Sequence, residues 1–141
     1  SFFRSPAVTE AVRRLLQQGL PVEALERIRI FFSRIPYDIM PKTPEIYFEN
    51  NLFLLFSLIG IDVRTEWRHP ARRADMLLVM RDYIYIIELK LDGTPEEAIS
   101  QIDEKGYALP FSANPRQLFK IGLNFSRETR NIDAWEIVRA D

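Results

Sequence analysis

Asp75, Glu88 and Lys90 are the residues whose types and spacing could do chemistry. They belong to the stretch Arg73-Ala-Asp-Met-Leu-Leu-Val-Met-Arg-Asp-Tyr-Ile-Tyr-Ile-Ile-Glu-Leu-Lys90, rich in Ile, Val, Leu and Tyr. The stretch reads as two strands, Ala74 to Met80 and Tyr83 to Leu89, divided at Arg81-Asp82. With Met80 opposite Tyr83, an antiparallel hairpin puts Asp75 directly across from Glu88. Their Cβ atoms would then lie about 4.5–5.5 Å apart on one face. Lys90, two residues beyond Glu88, points to the same face. The rest of that face (Leu77, Val79, Ile84, Ile86) is apolar, and so is the other (Ala74, Met76, Leu78, Tyr85, Ile87, Leu89). The hairpin is therefore expected to be buried on both sides, with its charges gathered at one end of one face. Two carboxylates that close repel unless something positive lies between them. A divalent cation would answer that, and a lysine beside it could orient a water or stabilise a developing anion. The other reading is that both strands simply become polar as they leave the core. Spacing alone leaves both open.

The elements that must position these residues follow from periodicity and punctuation. Ser5-Pro6 opens a helix, with serine as N-cap and proline at the first helical position. Val8, Val12, Leu15 and Leu16 recur at helical spacing, and Gly19 ends the run. Pro21 starts a second helix with the stripe Val22, Leu25, Ile28, Phe31 and Phe32, and Pro36 stops it. Arg13, Arg14, Arg27 and Arg29 on these helices are expected to be solvated. Thr43-Pro44-Glu45 begins a third helix that runs to about Ile59, before Gly60, with a broad apolar face of Phe48, Leu52, Leu55, Phe56 and Ile59. Glu45 and Glu49 are four apart and share one side of it.

Ile61 to Trp67 alternates as a first strand and leads, with Arg64, Arg68, His69, Arg72 and Arg73, into Asp75. That run is either a phosphate-gripping loop or a solvated connection. Glu66 is expected to pair with the nearby arginines. After Lys90, Leu91-Asp92-Gly93 makes a turn, and Thr94-Pro95-Glu96-Glu97 matches a capping box. The helix it opens is expected to reach about Ala108, with Gln101 and Lys105 on one face. Phe111-Ser-Ala-Asn-Pro115 reads as a connection. Gln117 to Phe125 and Ala134 to Val138 read as further strands, with a polar loop from Ser126 to Asp133 between them.

Composition sets wide limits. The chain has 141 residues and an apolar fraction of 47%, enough for one domain with a real core. No apolar run reaches the roughly 18 residues of a membrane span. Cysteine is absent, which excludes disulfides and thiolate metal sites. With no secretory signal, this fits a reducing cytosol, and a cytoplasmic location is expected. A start at Ser1 fits a piece of a longer protein. His69 is the only histidine, so neither a His-based metal site nor a serine–histidine hydrolase is expected. Nineteen basic residues against 20 acidic ones give a net charge of −1. Any nucleic-acid contact must therefore come from a local patch, a metal ion or another domain.

Asp75, followed after twelve residues by Glu88-Leu-Lys90, resembles the D…(D/E)-x-K signature of the PD-(D/E)XK nuclease superfamily. Arg73-Ala-Asp75, Asp82-Tyr-Ile-Tyr-Ile-Ile-Glu-Leu-Lys-Leu-Asp-Gly93, Glu97-Ala, Gln101-Ile, Glu104-Lys-Gly-Tyr107, Gly122-Leu-Asn-Phe-Ser126 and Arg130-Asn-Ile132 follow, in order, one branch of it. That branch is usually found as a C-terminal domain behind an AAA-type ATPase-like region in bacterial proteins. The likeness runs from about Glu45 to Trp135. One position departs: the branch has glycine before the arginine of Gly-Arg-x-Asp, and here it is Arg72.

The resemblance implies an α/β fold of restriction-endonuclease type. Its core would be a helix, a three-strand meander, a crossover helix and further strands of a mixed sheet, over residues 43–141. Residues 1–42 would form a helical lead-in. It implies a metal-dependent nuclease in which Asp75, Glu88 and the Leu89 carbonyl hold Mg²⁺ or Mn²⁺. Glu49, and less so Glu45, would be an auxiliary ligand, the alternative being a solvated helix edge. Lys90 would position water or steady the transition state, and Gln101 would support the site. Arg73, Lys105 and Tyr107 would touch substrate. The implied partners are nucleic acid, with DNA the expected kind, and an upstream ATPase-like region. This chain has no Walker-type glycine loop and is not itself that ATPase. The alternative from another class is a catalytically silent binding or regulatory module.

Overall fold

The computed structural model describes residues 6–36, 44–65 and 76–140. Three helices come first: α1 (Pro6–Gln17), α2 (Pro21–Ser33) and α3 (Pro44–Leu58). β1 (Asp62–Thr65), β2 (Met76–Val79) and β3 (Tyr83–Leu91) follow, then α4 (Pro95–Glu104), a short 3-10 turn at Leu109–Phe111, β4 (Gln117–Ser126) and β5 (Asn131–Ala140). Among the described residues the strands form one five-stranded sheet in chain order. β1, β2 and β3 are an antiparallel meander, α4 carries the chain across to β4 parallel to β3, and β5 returns antiparallel. This is the mixed α/β architecture expected, with the N-terminal helices in place.

The β2–β3 register is the one that a turn on Arg81-Asp82 dictates. Met76 pairs with Ile87, Leu77 with Ile86, Leu78 with Tyr85 and Val79 with Ile84. The Met80 N–H donates to the Tyr83 carbonyl across the turn (2.8 Å). β3 is central, and Ile84 to Glu88 are buried without a break. Residues paired across strands share a face, so the two faces carry different cores. Met76, Leu78, Tyr85 and Ile87 pack with Val12, Leu16, Ile28, Phe32, Phe48 and Phe56 from α1, α2 and α3. Ile84, Ile86 and Leu118 pack with Ile99 and Ile102 of α4.

The first two helices are bonded to the sheet as well as laid on it. The Tyr85 hydroxyl donates to the Leu16 carbonyl (2.6 Å), and its ring stacks on Phe119 (centroids 5.4 Å apart). Asn131 donates through Nδ2 to the Arg29 carbonyl (2.9 Å). Arg29 is not simply solvated as expected: its guanidinium lies over the Trp135 ring, 4.3 Å from the centroid. Cation–π attraction and half-burial hold it there.

Burial holds the Tyr85 hydroxyl above the ordinary tyrosine range, with the neighbouring Tyr83 adding to the shift. A raised folded-state pKa means that its stabilising contribution is whole at neutral pH and fades as pH climbs past the ordinary tyrosine value. Tyr85→Phe removes the hydroxyl's bond and leaves the Leu16 carbonyl only the longer one from the Gly19 N–H (3.3 Å), so urea denaturation at neutral pH should show a loss of about 0.5–1.5 kcal/mol. The gap between the two proteins should narrow in alkali. A gap that stays constant with pH would remove this account of Tyr85.

Several boundaries differ from the sequence expectation: β3 runs on to Leu91 and β5 to Ala140, and two further differences have a clear cause. α4 stops at Glu104, short of Ala108. Gly106 takes a positive φ of 66°, the Tyr107 N–H reaches back to the Ile102 carbonyl (3.2 Å), and the Gly106 N–H to that of Asp103 (3.1 Å). That is a Schellman cap, which glycine permits at low cost. The polar run expected as a loop to Asp133 is instead a tight turn at residues 127–130, closed by Arg130 N–H to the Ser126 carbonyl (2.8 Å). β5 begins at Asn131 because its polar positions have partners. Asp133, for example, accepts from Asn124 Nδ2 (2.8 Å).

Candidate active site

A cleft of about 290 Å³ opens beside the C-terminal half of β3. Glu88, Leu89 and Lys90 line it from β3, Glu45 and Glu49 from α3, and Gln101 from α4. Thus three elements distant in sequence bring Glu88, Lys90, Gln101, Glu49 and Glu45 to one cavity. Asp75 and Arg73 lie outside the described residues.

Glu88 is the anomaly of the fold. It is 1% exposed, on a strand otherwise filled with Ile and Tyr, and among the described residues its Oε2 has no hydrogen-bond partner. Gln101 Oε1 is likewise buried and unpartnered among them. Burying a polar oxygen without a partner is costly, so natural folds rarely keep one without a use. Lys90 is half-buried on the same face of β3, two residues on. Glu49 is half-buried and Glu45 is exposed, so α3 offers Glu49 more deeply.

The donor chemistry suits a hard cation. Carboxylate and amide oxygens are what Mg²⁺ and Mn²⁺ take. Among the described residues, three carboxylates and one amine line the cleft, a balance that attracts cations. Among the described residues, however, no three His, Cys, Asp or Glu side chains are arranged to hold an ion. Glu88, Glu49 and the Leu89 carbonyl could supply only part of a shell.

The position of α4 against β3 depends on Gly122, the residue paired with Glu88 on β4. A Cβ there would run into the Pro95 carbonyl and come within 3.0 Å of the Ala98 Cβ. Glycine therefore lets the start of α4 sit close against the sheet, and so sets how deep Gln101 lies. The helix start itself is capped as expected, the Glu97 N–H donating to Thr94 Oγ1 (3.1 Å).

Asn124 is a positioning residue that the sequence reading did not single out. Buried on β4 opposite Lys90, it accepts from the Gly93 N–H through Oδ1 (2.8 Å) and donates through Nδ2 to Asp133. It thereby fixes the loop that leaves Lys90. The signal was present, a lone amide inside the otherwise apolar run Ile121 to Phe125.

Lys105 and Tyr107 are not in the Glu88 cleft. They line a second one, of about 440 Å³, with Arg64, Leu77, Ile86 and Phe111. Lys105 Nζ stands 5.8 Å from the centre of the Tyr107 ring. No described helix is long and apolar enough to cross a membrane.

Residues 43–135 match the PD-(D/E)XK nuclease superfamily, and the chain belongs to that superfamily. It is also 32% identical over 108 residues to "Uncharacterized protein in vnfD 5'region" of Azotobacter chroococcum mcd 1. That similarity covers 72% of this chain and 21% of the relative, so the chain spans about a fifth of the relative's length. α1 and α2 precede the matched residues.

Proposed function

We propose that this member of the PD-(D/E)XK superfamily is a divalent-metal-dependent hydrolase of nucleic-acid phosphodiester bonds, with DNA its substrate. The observation that carries the reading is the buried Glu88, its Oε2 unpartnered among the described residues, in one cleft with Lys90 and Gln101. The hairpin register adds support, because the pairs from Val79–Ile84 to Met76–Ile87 are those on which the sequence expectation for Asp75 and Glu88 rests. Asp75, Glu88, the Leu89 carbonyl and Glu49 are the residues proposed to hold Mg²⁺ or Mn²⁺. When bound, the ion supplies charge neutralisation at the phosphate and a more acidic attacking water. Lys90 donates to that water or to the phosphate oxygens, steadying the negative charge that builds as the P–O bond breaks. Gln101 accepts a hydrogen bond through Oε1 and orients the group that donates it. Leu91, Phe48 and Phe125 wall the cleft with apolar surface, which lowers the local dielectric and strengthens each of these interactions.

Residues 1–42 are proposed as a lead-in that works as one unit with the nuclease core, residues 43–141, and an ATPase-like region upstream as the partner in a longer protein. The match of this chain to a fifth of its relative's length supports a longer parent.

The test pairs calorimetric titration of Mg²⁺ and Mn²⁺ with a plasmid-nicking assay on wild type, Asp75→Ala and Lys90→Ala. Asp75→Ala should lose both ion binding and cleavage. Lys90→Ala should keep ion binding while cleavage falls by about a hundredfold or more. Wild type that binds the ion but cuts neither DNA nor RNA would leave a silent regulatory module in place of an enzyme.

A further inference from the structure

The second cleft stands in a definite relation to the first. One side of it is the cross-strand row Arg64–Leu77–Ile86, in which each residue pairs with the next, with Leu77 and Ile86 as its floor. Glu88 lies two residues further along β3, roughly 6.6 Å from Ile86 and on the same face. Across the cleft, Gln101 and Lys105 are one helical turn apart, roughly 6 Å. Both walls therefore step by similar distances from one cavity to the other. The lining changes on the way from acidic to cationic and aromatic. Arg64 is on one side, and Lys105, Tyr107 and Phe111 are on the other. The Arg64 side chain is 61% exposed and tied to Asp62 (2.9 Å), so it faces solvent at the rim. Leu77 is half-buried and Ile86 buried, which makes the floor apolar.

Cations at the rim and apolar or aromatic walls beneath are the recognition chemistry of a nucleotide, whose phosphate is anionic and whose base has two π-faces. The cavity of about 440 Å³ is in the size range of small-ligand sites. A base paired in a duplex has its faces covered by its neighbours and cannot enter such a cavity without leaving the stack. We infer that the second cleft receives an unpaired nucleotide next to the cleaved bond, its base against Phe111 and Tyr107 and its phosphate near Lys105 and Arg64. This rests on the reading of the Glu88 cleft as the cleavage centre. It makes the preferred substrate a single strand or a frayed end rather than an intact duplex.

The test is a binding measurement that needs no turnover. Fluorescein-labelled oligothymidylate and a blunt duplex of equal length are titrated by anisotropy in the presence of chelator. Wild type should bind the single strand more tightly than the duplex. Phe111→Leu keeps apolar bulk but removes the stacking face, and with Lys105→Ala it should weaken single-strand binding by about fivefold or more, the change expected for one lost base contact. Duplex binding should change little. The inference is overturned if both variants bind the single strand as wild type does, if they lose single strand and duplex alike, or if wild type prefers the duplex. Selective single-strand loss in protein that never hydrolyses a strand would sustain the nucleotide cleft and sink the enzyme reading instead.

Discussion

Glu88→Gln is expected to abolish metal-dependent cleavage, by about a thousandfold or more, while metal-free protein remains as stable as wild type or becomes more so. The loss follows from removing a charged oxygen donor, since ion binding supplies several kcal/mol of transition-state stabilisation and each 1.4 kcal/mol is a factor of ten. The stability result follows from burial. A carboxylate that is 1% exposed, with one oxygen unpartnered among the described residues, is a burden on the folded state until something positive arrives. Glutamine has nearly the same shape and carries no charge. Urea denaturation in chelator measures the stability, and cleavage with calorimetry the loss of activity. A large loss of metal-free stability in Glu88→Gln would mean that the carboxylate is a structural anchor, and its catalytic assignment would fall.

The second large effect is on folding. Phe125 is 1% exposed and stacks on Phe48 of α3 (centroids 4.4 Å apart) while meeting Phe32 of α2 edge-on (5.2 Å). One ring thus joins β4 to both helices, and it also lines the Glu88 cleft. Phe125→Ala should lower the unfolding free energy by about 3–5 kcal/mol, the usual cost of emptying an aromatic site in a tight core. Because α2 and α3 share this contact, unfolding should stay a single transition by circular dichroism and by tryptophan fluorescence. A cost below about 1 kcal/mol, or two separate transitions, would show that α1 and α2 are not part of the same cooperative unit.

Much of this could be read from local rules. The strand register around Arg81-Asp82 follows from side-chain alternation and a two-residue turn, and the Thr94 cap follows from its Glu97 partner. The hairpin placed Glu88 and Lys90 on one face, while Glu49 and Gln101, which line the same cleft, came only from the family resemblance, because α3 is apolar on several sides and its periodicity singles out no face. What escaped was set by contacts between elements. Gly106 lies within a run of good helix formers, and its role as terminator appears only in its positive φ. Asn131 and Asp133 read as loop residues until Asn124 and the Arg29 carbonyl are found to satisfy them. The separation of Lys105 and Tyr107 from the Glu88 cleft depends on where that glycine turns the chain, which no periodicity encodes.

The missing side chain at Gly122 gives the fold a mechanical adjustment on the strand next to Glu88. Alanine, serine or valine there would act as shims of increasing thickness beneath α4, since even a methyl group meets the Pro95 carbonyl. Each would raise the helix and carry Gln101 outward while leaving Glu88 and Lys90 on their strand. The depth of Gln101 would thus be set in steps by a residue that has no side chain of its own.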